Sequence, residues 1–202
     1  MNPLKTATGT IISGLVLVVI VGLITTAEGP LPLHAAVIWT HVLAGITWIG
    51  LLYYFNLVQV QALGDAAADT GGPGGGGITK YVAPRALLWF RWGALATWLS
   101  GATYLMITGN FMNAFTLGGM PVNGDPGYGL RIGVGAWMGT IMLFNVWILI
   151  WPNQKKVLGM VEATADQIAK AKSTALMASR TNTMLSIPML MSMIGAHHGY
   201  FI

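Results

Sequence analysis

The sequence predicts an all-α fold, a polytopic transmembrane helix bundle of about five spanning helices. Three observations carry this. First, 54% of the 202 residues are hydrophobic, 8% are charged and the mean hydropathy is +0.66; an ordinary soluble domain carries about 25% charged residues. Second, the apolar residues gather in runs of the length that crosses a hydrocarbon core, about 20 residues. Third, the ten Lys and Arg residues fall mostly between these runs, on one side of the implied membrane. The net charge of +4 is thus placed by topology, and it does not point to nucleic acid.

Taken in order, spans are expected near residues 7–26, 32–63, 86–109, 129–151 and 182–202. The first has the outline of a signal peptide, with Lys5 before an apolar run and small residues before Glu28. A chain that still begins at Met1 argues for a retained span. The second run is longer than one crossing needs. Residues 65–79 contain "TGGPGGGG" and read as a flexible linker. Residues 110–128 are rich in Gly and Asn, and they are expected to fold back over the bundle. Residues 156–179 read as a surface helix, with Leu158, Val161, Ile168 and Leu176 near one stripe. The whole chain is expected to be one membrane domain.

Orientation follows from the basic residues. With the N-terminus in the cytoplasm, that side holds Lys5, Lys80, Arg85, Lys155, Lys156, Lys170, Lys172 and Arg180. Arg91 lies just inside the third span, and only Arg131 falls outside. The positive-inside rule therefore places the N-terminus in the cytoplasm and the C-terminus in the periplasm of a bacterial inner membrane.

This topology gathers the histidines. The stretch "LHAAVIWTHVLAGITWIG" holds His34 and His41, and "MSMIGAHHGYFI" holds His197 and His198. All four fall in the outer half of the bilayer, on two helices, although none was used to set the orientation. Ionisable groups there are costly and mark function. Two histidines at similar depth on different helices are what bis-histidine b-type haem requires. His41 pairs with one of His197 and His198; adjacent helical residues point about 100° apart, so only one of these can face the same iron. His34, near the interface, reads as an interfacial histidine, a second-site ligand or a propionate partner. Arg131 is placed to neutralise a propionate. Gly45 and Gly50 offer a face that a flat macrocycle or a helix can approach.

Other readings stand beside this one. Copper also takes His and Met, and Met189, Met191 and Met193 lie near the histidines; Met in such helices is also ordinary packing filler. A cofactor-free accessory subunit needs none of these ligands. The chain has no cysteine, which removes thiolate metal sites and covalent c-type haem. No nucleophile–base pair, phosphate loop or carboxylate dyad is apparent. Arg91, in "LLWFRWG", is close enough to the cytoplasmic face to snorkel. Asn56 and Asn145 read as interhelical hydrogen-bond partners.

Five stretches together carry a family resemblance: "HVLAGITWIGLLYYFN", "KYVAPRALLWFRWGA", "GNFMNAF", "MGTIMLFNVWILIWPNQKK" and "ASRTNTMLSIPMLMSM". Over roughly residues 33–198 the chain resembles the membrane domain of the integral-membrane cytochrome c urate oxidases, or urate hydroxylases. More distantly, the histidine followed by "W-x-G-L-x-Y" is similar to CopD copper-resistance proteins and HemJ-type protoporphyrinogen oxidases. The resemblance implies a bacterial inner-membrane protein of redox chemistry, with c-type cytochromes or other membrane-complex subunits as partners, and it carries over His41. Those enzymes carry a C-terminal cytochrome c domain, and this chain ends after the fifth expected span. The histidines of the second and fifth spans make the expected function an electron-transfer subunit holding haem b. The alternatives are the membrane half of a urate-oxidising system and a cofactor-free subunit.

Overall fold

A computed structural model describes residues 2–25, 32–120 and 127–199. Among the described residues the secondary structure is helical throughout, without a strand. Two compact units divide the chain, Met1–Ala36 and Val37–Ile202.

The first unit contains a one-turn 3-10 helix, Pro3–Lys5, capped by the Asn2 side chain, and then α1 (Ala7–Thr25). None of the residues of α1 is buried, although the helix is apolar on every face. Such a helix needs lipid or a partner around it.

The second unit is built from seven helices among the described residues. The first, α2 (Leu33–Tyr53), starts in the first unit and continues through a π-helical stretch, Tyr54–Gln59, into α3 (Val60–Ala68). After the glycine-rich loop, a second π stretch, Ile78–Val82, leads into α4 (Ala83–Ile107). The short α5 (Phe111–Phe115) follows. Then α6 (Tyr128–Phe144) runs through a third π stretch, Asn145–Ile150, into α7 (Trp151–Val157). The last helix is α8 (Ala165–His198).

Two of the π stretches end just before a proline, Pro84 and Pro152. Proline supplies no N–H and its ring crowds the carbonyl four residues back. A widened turn relieves that crowding without ending the helix.

Three helical runs among the described residues are long and apolar enough to cross a membrane: Ala7–Thr25, Leu33–Ala68 and Tyr128–Val157. Neither α4 nor α8 is among them. The buried face of α8 shows why: Ala171, Ala175, Ala178, Asn182, Ser186, Ser192 and Ala196 form a stripe of small and polar residues. Small residues let helix backbones approach closely, a packing mode that contributes little hydropathy. On α6, Gly135 meets this stripe, and an added Cβ there would lie 3.1 Å from Met193 Cε.

One expected boundary moves. Residues 156–179 and 182–202 were expected as a surface helix and a separate span. In the structure α7 ends at Val157, residues 158–164 make the turn, and α8 runs unbroken from Ala165 to His198. A capping box sets its start: Thr164 Oγ1 accepts from Gln167 N and Gln167 Oε1 accepts from Thr164 N. Residues 200–202 of the expected span lie outside the described residues.

Expected interhelical amides are found. Asn145 Nδ2 donates to Asn182 Oδ1 at 2.8 Å, and Asn182 Nδ2 donates to the Met142 carbonyl at 2.9 Å. Asn56 Nδ2 donates to Ser179 Oγ at 2.8 Å. Ser186 Oγ donates to the Thr183 carbonyl, so in its 3.0 Å contact with Tyr53 the tyrosine is the donor. These bonds tie α2, the Asn145–Ile150 stretch and α8 around a core of Trp48, Leu52, Phe90, Met142 and Val146.

Candidate functional site: an apolar cavity lined by three histidines

A cavity of about 670 Å³ lies within the second unit. Its walls come from α2, α4, α5, α6 and α8, and His41, His197 and His198 all line it. The other lining groups are nearly all apolar or aromatic, including Trp48, Trp98, Tyr104, Phe115 and Met193. Cofactor sites have this character, an apolar wall with a few placed polar groups. On the α2 and α8 edges, Ile46 and Ile194 line the cavity and are also 66% and 61% exposed.

His41 is held from behind. Its Nδ1 lies 2.8 Å from the carbonyl of Thr97 on α4. A carbonyl only accepts, so Nδ1 carries the proton and Nε2 keeps its lone pair. A backbone carbonyl on the distal nitrogen is the usual way a ligating imidazole is oriented and made more basic. Room for the ring comes from Gly101. A Cβ there would sit 2.9 Å from His41 Cε1 and 3.0 Å from Nδ1. Gly45 and Gly50 stand out in the sequence and Gly101 does not, yet it is Gly101 that lies against the ring. Gly45 serves helix approach, its Cβ position lying 3.7 Å from Thr97 Cγ2, and Gly50 faces open space. The "S-G-A" of residues 100–102 gave no signal by itself, because its role depends on which helix lies opposite.

The C-terminal pair is arranged differently. The His197 ring packs edge-on against Tyr128 at 5.5 Å and Tyr104 at 6.4 Å. His198 lines the cavity and, among the described residues, makes no ring contact of this kind. Gly199, with φ +79°, closes the helix directly after the pair. Phe115 brings α5 onto the cavity, with its carbonyl accepting from Trp137 Nε1 at 3.2 Å.

Arg131 stands in the first turn of α6, where its backbone carbonyl accepts from Ser192 Oγ. Its side chain is not among the cavity-lining groups, although the next residue, Ile132, is. His34 belongs to the first unit, where it is exposed. Among the described residues, no group of three or more His, Cys, Asp or Glu is placed to hold a metal ion. A bis-histidine haem needs only two imidazoles, with the porphyrin filling the space between.

The fold and the cavity together define a class: a helical protein with membrane-spanning character, built around an apolar pocket that collects histidines from distant parts of the chain. Residues 32–117 and 126–202 match the model of the family described as Urate oxidase N-terminal, and the chain belongs to that family. No curated protein and no solved structure matches it.

Proposed function

We propose that this chain is a membrane-embedded electron-transfer subunit that holds b-type haem between α2 and α8. His41 and one of His197 and His198, which line the same cavity, would hold its iron. The observation that carries the reading is the Nδ1 bond of His41 to Thr97 at the wall of a cavity that the C-terminal histidines also line. In this reading α1, Leu33–Ala68, α4, Tyr128–Val157 and α8 cross the bacterial inner membrane, with the N-terminus cytoplasmic. The cavity histidines then lie in the periplasmic half, within reach of a c-type cytochrome or a larger redox complex.

Bound haem supplies one-electron chemistry at its iron. The chain's own residues do the rest. Thr97 fixes the His41 tautomer and Gly101 gives its ring space. The apolar wall excludes water, which favours the less charged, reduced state of a buried centre. Arg131, beside the cavity-lining Ile132, is the proposed partner of a propionate.

The test is a reduced-minus-oxidised spectrum and a pyridine haemochrome assay on purified protein. Stoichiometric low-spin b-type haem, lost in His41→Ala, is expected. A colourless wild-type protein, or full haem content in His41→Ala, refutes the assignment.

Family membership favours a second reading, the membrane half of a urate-oxidising oxidoreductase whose cytochrome lies elsewhere. It predicts that urate reduces the haem when a cytochrome c partner is present. No reduction under those conditions removes it.

A further inference from the structure

At the far end of the run Tyr128–Val157 from its first turn, a second group of side chains has no place in the haem reading. The Arg91 guanidinium, from α4, lies over the indole of Trp151, with its carbon 3.8 Å from the ring centroid. Lys155, one turn further along α7, points its Nζ at the same ring from 5.9 Å. Two cations thus share one indole. Each gains from the ring's negative face, and the two repel each other.

Neither cation has a carboxylate partner among the described residues, and the Arg91 guanidinium makes no hydrogen bond there. Its fork of donors, already oriented by stacking, is unspent. Arginine held in this way matches the geometry of a phosphate. The surroundings set the depth. Trp151 and Lys155 stand at the end of an apolar run, Lys156 follows, and on α4 the flanking Trp89 and Trp92 are exposed. Exposed tryptophans beside basic residues at a helix end mark the level of lipid headgroups.

We infer that Arg91, Trp151 and Lys155 form a binding site for the phosphodiester of an anionic phospholipid. The guanidinium and the ammonium hold the phosphate oxygens, and the exposed aromatics of α4 lie along the acyl chains. Two cations favour a headgroup of net negative charge and disfavour a choline headgroup, whose own cation would be repelled. The site is independent of the haem.

The test measures thermal unfolding of the full chain in detergent micelles doped with phosphatidylglycerol, with phosphatidylcholine, or with inorganic phosphate alone. Phosphatidylglycerol is expected to raise the wild-type Tm, and the other two are not. The increment should vanish in Arg91→Gln, shrink in Lys155→Gln and persist in Arg85→Gln. Phosphatidylglycerol co-purifying with the protein should fall at least tenfold in Arg91→Gln. If Arg91→Gln does not fold, Arg91→Lys decides, because it keeps the charge and loses the stacked fork. Equal shifts from both lipids, a shift reproduced by inorganic phosphate, or an increment retained in full in Arg91→Gln, or in Arg91→Lys where Arg91→Gln does not fold, overturns the inference.

Discussion

Gly101→Ala tests the cavity at the point where fold and proposed ligation meet. The added methyl would lie 2.9 Å from His41 Cε1 and 3.0 Å from Nδ1, inside any tolerable contact. One of the two groups must move. The methyl sits on the backbone of a long helix, whereas the imidazole borders a cavity of about 670 Å³, so the ring moves. That breaks the 2.8 Å bond to Thr97, at a cost of about 1 kcal/mol net. Replacing a mid-helix glycine by alanine returns about 1 kcal/mol through helix propensity. Global stability should therefore change little. Ligation should change much more, because removing the outer partner of a ligating histidine typically lowers affinity by about 10–100-fold. The assay is haem content per protein, with the Tm of haem-free protein measured beside it. The expected result is a sharp loss of haem at nearly constant apoprotein Tm. Wild-type haem content with an unchanged spectrum would refute the account of how His41 is held.

Further outcomes follow from the packing. Gly133→Ala would put a Cβ 2.1 Å from the Ala114 carbonyl oxygen; backbone cannot yield there, so destabilisation of about 3 kcal/mol or more is expected in chemical denaturation, with α5 displaced from α6. Asn182→Ala removes the partner of Asn145 and of the Met142 carbonyl in a fully buried site. A loss of about 1–3 kcal/mol is expected, and much of it should return in the double variant with Asn145→Leu; an unchanged Tm in Asn182→Ala speaks against the buried amide pair. His197→Ala and His198→Ala, made separately, should divide: one abolishes the low-spin spectrum and the other leaves it, and loss in neither removes the C-terminal ligand.

Much of the architecture follows from composition and run length. Apolar runs of this length give a helical chain with runs able to cross a membrane, because an unpaired backbone in hydrocarbon is too costly for anything but helices or closed barrels. The candidate ligands His41, His197 and His198 were legible for the same reason: a histidine in an apolar run stands out against its neighbours. Asn56 and Asn145 were legible as interhelical partners, though Asn182 and Ser179, which receive them, were not.

Tertiary structure decided the rest. Gly101 looks like any helical glycine until α2 places an imidazole against it. Thr97 matters through its backbone carbonyl, which no side-chain pattern reveals. The expected surface helix and fifth span are one helix, α8, because the capping box of Thr164 and Gln167 starts a helix that runs on through Pro188 to His198. Hydropathy reports the free energy of a segment moved alone into lipid, so it finds runs. Which residues face one another depends on pairwise distances between helices, and those exist only once the helices have packed.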